Sequence, residues 1–311
     1  MPRLHRYTIA YSVILVSLFL ILQSVSVRLS VANQTVTVEI IGKRAGHSSS
    51  IGWVGSVDIE IDGVPYVEYC TEHDEHISVG STYTATVNTA SDTQEWRSVS
   101  YILAWYALRP GSVELIPVDD DDEAYAVQVA IWRFTSGLWV PANPPVPRAE
   151  EIHDDALEKN VARPGDSLTL TAGSNNVPPG MPVTVTAQLT PAREDVKILF
   201  STDKGVFQDT GTKETEKETD SGGQAEAVVI CPSESGQVKV TAETRACWVT
   251  ILDLGDNQDL VPMGYPIKAE VLIDTITIFV VSEVGTLAVL ITGMGALAAR
   301  RLKKLLRPDS S

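Results

Sequence analysis

The sequence is poor in basic residues. Lysine and arginine number 24 against 40 for aspartate and glutamate, which leaves a formal net charge of −16 at pH 7. Much of the positive charge lies near the two ends, so the middle of the chain is more acidic still. Such a surface repels the phosphates of nucleic acid and of anionic membranes. We therefore expect no nucleic-acid partner.

Cysteine is also scarce, with only Cys70, Cys231 and Cys247 in 311 residues. The downstream pair is close in sequence and lies on predicted neighbouring strands, so an oxidising compartment would favour a Cys231–Cys247 disulfide. Cys70 would then remain as a free reactive thiol or an intermolecular link. Cysteine statistics alone favour a buried structural thiol.

Charge is almost absent from two apolar segments. Residues 7–27 contain no charged residue, and small residues follow up to Ala32, a pattern typical of a signal peptide cleaved near that position. An uncleaved membrane anchor is the alternative. Residues 276–299 contain one charge, Glu283, and precede a basic tail, which predicts a transmembrane helix with a cytoplasmic end. We expect a single-pass type I protein of the cell surface, with the residues between the two segments outside.

A proline-rich stretch, VPANPPVP at 140–147, divides the chain, because proline suits neither a helix interior nor a central strand. After it and a short charged helix, runs such as SLTLTA and PVTVTAQLT alternate with turns, which predicts one copy of an antiparallel sandwich. Before it, β-like runs are followed by two helices, predicted at 98–108 and 123–136.

The predicted fold class is α+β, mainly β. The predicted segments are a signal peptide (1–32), a β-rich domain with two or more helices (33–140), a proline-rich and charged linker (141–164), an antiparallel β-sandwich (165–252), a juxtamembrane segment (253–275), a transmembrane helix (276–299) and a basic cytoplasmic tail (300–311). No LPxTG motif is present, so we favour a retained helix over processing by a sortase-like transpeptidase.

Turn motifs in the second domain resemble a known fold. STDKG at 201–205 and TDSGGQA at 219–225 match, in order, two turns that recur in the Ig-like repeats of invasin- and intimin-type surface proteins. Turn chemistry supports a fold and not an activity. We interpret this domain as a stalk.

Two motifs in the first domain resemble the signatures of thioester domains of Gram-positive surface adhesins. YCTE at 69–72 matches an aromatic-Cys-hydrophobic-acid signature, and VQVAIW at 127–132 matches a hydrophobic-Gln-x-x-hydrophobic-Trp signature. Order and spacing agree with the family. Thr71 and Val127 depart from it, since a larger apolar residue and a threonine are usual at those places.

The resemblance implies an internal thioester between Cys70 and Gln128. The Cys70 thiolate would attack the side-chain amide carbon of Gln128 and expel ammonia, in a scaffold that supplies the effective molarity. A lysine amine of a surface protein, or another amine-bearing ligand, would then open the thioester. The product is a covalent amide formed without turnover, so no enzyme, cofactor or metal is implied. Residues expected to shield or support the crosslink are Tyr69, Glu72, Trp105, Tyr106 and Trp132.

Other interpretations stay open. Gln128 could be a hydrogen-bonded core residue beside an inert Cys70, in a non-covalent binding or structural module. Cys70, His73 and His76 could bind a metal ion, or a cysteine–histidine pair could act as a hydrolase. The acids at 119–122 suggest calcium. No glycine-bearing loop of spaced ligands accompanies them, and helix capping explains them better.

Overall fold

The computed structural model describes residues 34–50, 52–73, 75–108, 117–137, 146–265 and 269–281. The predicted signal peptide (1–32) and basic tail (300–311) lie outside these residues. Buried apolar side chains form two separate clusters, one within a barrel and under its helices, the other between two sheets. The described part of the chain therefore builds two cores.

The described residues form three helices and fifteen strands. The helices are α1 (Gln94–Trp105), α2 (Asp121–Thr135) and α3 (Val146–Ala156). The strands are β1 (Gln34–Ser49), β2 (Gly52–Ile61), β3 (Val64–Cys70), β4 (Thr82–Thr89), β5 (Ser167–Ala172), β6 (Asn176–Val177), β7 (Pro182–Thr190), β8 (Lys197–Thr202), β9 (Val206–Phe207), β10 (Glu214–Glu218), β11 (Gln224–Ile230), β12 (Gly236–Ala246), β13 (Thr250–Asp253), β14 (Leu260–Pro262) and β15 (Glu270–Val280).

Six strands close an antiparallel barrel in the order β1-β2-β3-β14-β13-β4. Alternation along β1 buries Val36, Val38 and Ile40 while the residues between them stay exposed. A strand with one face on a core shows this pattern. The interior of the barrel is thus lined by alternate residues of each strand.

Helices α1 and α2 pack with α3 against this barrel. Thr93 caps α1 by accepting from the N–H of Trp96, and Asp120 caps α2 by accepting from the N–H of Glu123. Both predicted helices are present, and each begins a few residues before its predicted start. The start is set by these caps, which lie upstream of the apolar run.

The second core lies between two sheets with the strand orders β5-β7-β11-β9 and β10-β8-β12-β15-β6. Strand β7 buries Val183, Val185, Ala187 and Leu189 and exposes or half-exposes the residues between them. The ladders are antiparallel except for the short pairing of β6 with β15. The predicted β-rich, antiparallel character is confirmed, whereas the Ig-like assignment stays a prediction.

The predicted boundaries near the C-terminus need correction. Strands β13 and β14 close the barrel between β4 and β3, so the described residues of the predicted juxtamembrane segment (253–275) belong to the folded domains. Strand β15 pairs with β12 over its whole length, so a transmembrane helix cannot begin at 276. The apolar residues of 276–280 belong to a strand that alternates towards the sandwich core, with Ile278 and Val280 buried.

Most of the predicted transmembrane helix (276–299) lies outside the described residues. Within the residues that the structure describes, no helix is long and apolar enough to cross a membrane.

The predicted Cys231–Cys247 disulfide is absent. Both residues are free thiols, and Cys231 packs in the sandwich core whereas Cys247 packs in the barrel core. They follow β11 and β12, which lie in different sheets and are not the neighbouring strands that the sequence suggests. The two sulfurs therefore enter different clusters.

Candidate functional site

Strand β3 ends at the rim of the barrel, where its neighbour β2 stops pairing. The β2–β3 ladder ends at the pair Val57 and Glu68, whereas on the other side Cys70 still pairs with Leu260 of β14. Among the described strands, none pairs with Cys70 on the β2 side. A buried backbone N–H and C=O at this position need another partner.

The side chain of Gln128 supplies that partner. The N–H of Cys70 donates to Gln128 Oε1 at 2.9 Å, and Gln128 Nε2 donates to the carbonyl oxygen of Cys70 at 2.7 Å. Gln128 is fully buried in the middle of α2, and Cys70 is 7% exposed. The amide therefore has its hydrogen bonds satisfied in an apolar setting. The structure brings together the two residues that the sequence motifs paired.

This geometry polarises the amide but leaves the thiol neutral. The N–H of Cys70 donates to the oxygen that gains negative charge when a nucleophile attacks the amide carbon. Burial raises the pKa of the Cys70 thiol well above its ordinary value, and the carboxylate of Glu72 raises it further. Because the thiolate is the nucleophile, attack requires a group that removes this proton.

A cleft of about 190 Å³ opens beside Cys70. Its aromatic walls are Trp53 and Trp132, and Lys43 lies at Trp53 with its Nζ 5.1 Å from the ring centroid. Trp132 is 3% exposed, and its indole N–H has no hydrogen-bond partner among the described residues. Trp132 therefore forms part of the cleft wall beside Cys70.

Glu72 joins the end of β3 to the loop between β13 and β14. Its carboxylate accepts from the N–H of Asp259 at 3.2 Å, and its carbonyl oxygen accepts from the side chain of Gln258. Thr71 donates its hydroxyl to the Asp259 carbonyl oxygen at 3.2 Å. The position at which Thr71 departs from the family pattern thus has a local partner.

Asp259 and Gln258 were not found by sequence reasoning. In the sequence, most of the sandwich domain lies between them and Glu72. They fall in the segment predicted to be juxtamembrane. Burial and the nearby Glu72 carboxyl raise the pKa of Asp259 to about 6. Only the closure of the barrel brings this loop to the rim.

Trp105 and Tyr106 lie away from the cleft, which corrects their predicted role. The Trp105 ring lies 5.0 Å from the cationic groups of both Lys197 and Arg245 in the sandwich domain. Tyr106 donates its hydroxyl to the Asp155 carboxylate at 2.5 Å. Trp105 thus contacts the sandwich domain and Tyr106 contacts α3, and neither is among the residues that line the cleft.

Tyr69 is buried on the other face of β3 from Cys70, since successive residues of a strand point to opposite faces. Burial is the main cause of the raised pKa of its hydroxyl. Tyr69 supports the strand that carries Cys70, and it is not among the residues that line the cleft.

The acidic run before α2 caps and anchors that helix. Asp120 caps it, Asp121 accepts from the N–H of Gly46 at 3.0 Å, and Asp122 pairs with His47 at 2.7 Å. In the described ranges, no three His, Cys, Asp or Glu side chains converge to hold a metal ion. Asp74, which lies between His73 and His76 in the sequence, is outside those ranges.

Comparison with known proteins gives a family match over part of the chain. The model described as "TED: Thioester domain" matches residues 67–168, a segment that contains both Cys70 and Gln128. No curated protein matches the chain.

Two of the matching solved structures illustrate the distant similarity. One is described as "Thioester domain of the Enterococcus faecium TIE86 protein" (14% identity, TM-score 0.32), with 79% of this chain and 95% of that chain covered. The other is "The Bacillus anthracis TIE protein" (11% identity, TM-score 0.33), with 79% of this chain and 49% of that chain covered. The chain thus spans about half of the Bacillus anthracis chain. Likenesses at this level carry no argument about function, which depends on the family match and the site geometry.

Proposed function

We propose that Cys70 and Gln128 form an internal thioester with which this protein captures an amine on a target surface. The carrying observation is the pair of hydrogen bonds between the Gln128 amide and the backbone of Cys70. These bonds hold the amide beside the cysteine and fix its plane. The match of residues 67–168 to a thioester domain supports the same chemistry.

Formation of the thioester is an acyl transfer. The sulfur of Cys70 attacks the amide carbon of Gln128, the carbon–nitrogen bond breaks, and ammonia leaves. The N–H of Cys70 donates to the carbonyl oxygen while negative charge develops there. Holding the two groups in place lowers the entropic part of the barrier, for which oriented intramolecular reactions reach effective molarities of about 10⁵ M or more.

The thioester must survive until it meets its target, so water has to be excluded. Cys70 and Gln128 are buried, and Trp132 lines the cleft beside Cys70. Glu72 joins the strand end to the β13–β14 loop, and Gln258 of that loop also lines the cleft. Exclusion of water from a reactive acyl group suppresses hydrolysis.

Capture consumes the bond. An amine attacks the thioester carbonyl, an amide to the side chain of residue 128 forms, and the Cys70 thiol is released. Each molecule reacts once, so the protein is an adhesin and not an enzyme. We propose a lysine amine of a surface protein, or another amine-bearing ligand, as the partner.

The sequence supports a setting at the cell surface. The signal-peptide pattern at 1–32 and the apolar segment with its basic flank support a membrane-anchored protein with the reactive domain outside. The second, sandwich domain then acts as a stalk of Ig-like type.

Methylamine labelling tests the proposal in the full chain. The native protein is treated with methylamine and digested, and its peptides are mapped by mass spectrometry. We expect an N-methyl amide at Gln128 and a Cys70 thiol that alkylates only after this treatment. Gln258, which lines the same cleft, is the internal control and should stay unmodified.

The variants Cys70→Ala and Gln128→Ala should give no label. A thioester lost to hydrolysis would leave glutamate at position 128 in the wild type but glutamine in Cys70→Ala. Unmodified Gln128 together with a Cys70 that alkylates without methylamine would contradict the proposal. That result would favour the alternative, a non-covalent binding or structural module with an inert Cys70.

A further inference from the structure

Glu68 is a carboxyl group buried without a partner inside the barrel. Its side chain is 0% exposed, and neither carboxyl oxygen has a hydrogen-bond partner within the described residues. Its neighbours across the strands are Val57 on β2 and Pro262 on β14. A buried polar group with no partner destabilises a fold and is rare in native structures. The buried, unpartnered carboxyl of Glu68 therefore suggests a functional role.

Glu68 lies on the same face of β3 as Cys70. Residues two apart on a strand point the same way, and a rise of about 3.3 Å per residue puts their Cα atoms roughly 7 Å apart. An extended glutamate side chain covers much of that span. Both side chains are buried, with Glu68 0% and Cys70 7% exposed.

An ionised carboxylate at this position would be costly, because no cation or donor in the described residues compensates its charge. Burial accordingly raises the pKa of Glu68 well above its ordinary value of 4.5. The group therefore holds a proton in a dry site and keeps both oxygens available, one as donor and one as acceptor.

The acyl transfer needs both of these functions. A proton must leave the Cys70 thiol, and a proton must reach the amide nitrogen before ammonia can depart. Glu72, the other acid near Cys70, accepts a hydrogen bond from the N–H of Asp259. Glu68 has neither oxygen engaged in this way.

We propose that Glu68 is the proton carrier for the Cys70–Gln128 thioester, an inference that rests on the proposed function. Its O–H gives a proton to the nitrogen of Gln128 while its second oxygen takes the proton of the Cys70 thiol. The sulfur–carbon bond forms, the carbon–nitrogen bond breaks, and ammonia leaves. Glu68 ends as it began, as a neutral acid, so protons and electrons balance without a further reactant.

Glu68 also acts in the capture step, in which the two proton transfers run in the opposite direction. When an amine attacks the thioester, Glu68 takes a proton from the attacking nitrogen and gives one to the departing sulfur. The products are an amide, a Cys70 thiol and a neutral Glu68. One buried acid thus acts in the formation and in the use of the bond.

The test measures thioester formation in the full chain. Protein that has never folded is taken from an insoluble expression product, refolding is started by dilution, and the loss of one ammonia is followed by intact mass. Glu68→Gln keeps the shape but cannot accept and donate as an acid. We expect it to form the thioester at least about 100-fold more slowly than the wild type. Glu60→Gln, on the outer face of β2, is the matched control and should form it at the wild-type rate.

Glu68→Leu is a second variant that suits the apolar barrel interior, in case the amide variant does not fold. It should refold and show the same slow formation. Thioester formation at the wild-type rate in either folded variant would overturn the inference and leave the proposed function intact. A wild type that never loses ammonia would instead remove the proposed function, and this inference with it.

The pH profile separates a proton carrier from a merely structural residue. The wild-type rate should fall as pH rises through the raised pKa of Glu68, because the neutral acid is the active form. In Glu68→Gln the rate should rise with pH, since only hydroxide can then remove the thiol proton. Across the strands Glu68 pairs with Val57 and Pro262, and the titratable residue on its own face of β3 is Cys70. The rim acids Glu72 and Asp259 are retained in both proteins. Profiles of the same direction in both would contradict the inference.

Discussion

Two polar side chains are buried beside Cys70, and they differ in whether they have hydrogen-bond partners. The Gln128 amide has a donor and an acceptor in the backbone of Cys70, at 2.9 and 2.7 Å. The Glu68 carboxyl has no hydrogen-bond partner among the described residues. A satisfied amide stabilises the fold, whereas an unsatisfied acid destabilises it. The Gln128 amide is therefore held in place for reaction, whereas the Glu68 carboxyl retains its proton.

The variant Gln128→Glu tests the side chain whose hydrogen bonds are satisfied. Gln128→Glu keeps the shape of the side chain but replaces the donor Nε2 by an oxygen that faces the Cys70 carbonyl. We expect a free energy of unfolding lower by about 1–3 kcal/mol, the usual effect of an unsatisfied buried polar group. Urea unfolding measures it in the Cys70→Ala background, with and without Gln128→Glu, because no thioester forms there and Gln128 keeps its Nε2. Equal stability would show that the hydrogen-bonded pair does not hold β3 to α2.

The variant Glu68→Leu tests the carboxyl whose hydrogen bonds are unsatisfied. Burial raises the pKa of Glu68 above 4.5, so the native chain keeps a proton that the unfolded chain releases. The free energy of unfolding therefore falls as pH rises above 4.5, until the raised native pKa is reached. Relative to wild type, Glu68→Leu should gain more stability at neutral pH than below pH 4.5. A difference between the two proteins that is the same at both pH values would contradict a proton-bearing Glu68.

At the scale of elements, helix α2 positions the site. Asp120 caps it, Asp121 and Asp122 fix its start against β1, and residues 124–132, including Gln128, are all buried. The cap and the apolar periodicity are local signals, which is why the sequence predicts this helix closely. The position of Gln128 follows from the same signals.

The elements that the sequence did not predict are those defined by distant pairing. Strand β14 is only three residues long, and its pairing with Glu68, Tyr69 and Cys70 crosses the whole sandwich domain in sequence. No local pattern marks such a partner. Strand β15 was mistaken for the start of a membrane helix because an apolar run continues beyond it, and composition alone does not separate the two. The sequence does not identify Glu68 for a related reason. Only closure of the barrel shows that its face of β3 is buried.

Removal of the α2 cap should disturb both stability and reaction. In Asp120→Ala the N–H of Glu123 loses its acceptor, which costs about 1 kcal/mol. Thermal unfolding should show the lower stability, and intact mass should show slower thioester formation during refolding. Asp120→Asn keeps a capping side chain and should remain close to wild type in both. Equal losses in the two variants would mean that the charge of Asp120, and not its cap, matters.

At the scale of the whole molecule, the reactive domain is discontinuous in sequence. The chain leaves the barrel, builds the sandwich, and returns as β13 and β14 to complete the barrel next to Cys70. Arg245 at the end of β12 donates to the carbonyl oxygen of Ala104 near the end of α1 at 2.7 Å. A cation at a helix C-terminus is favourable there. The reactive site and the sandwich domain are therefore joined by strands and by this contact.

Truncation tests this joined organisation. A fragment of residues 33–140 lacks β13 and β14, so the barrel stays open beside Cys70. We expect no cooperative unfolding transition and no thioester in this fragment. A chain that ends at residue 281 keeps all described strands and should show both. A fragment 33–140 that folds and loses ammonia would show that the domain is autonomous after all.

The intact mass of the purified full chain tests the central claim most directly. It is compared with that of the Cys70→Ala variant, after correction for the substitution. A wild-type mass lower by one ammonia, restored on treatment with ammonia and absent from the variant, is the expected result. A wild-type chain of full mass, with Gln128 still an amide and Cys70 a free thiol, would contradict the thioester and with it the proposed covalent adhesion.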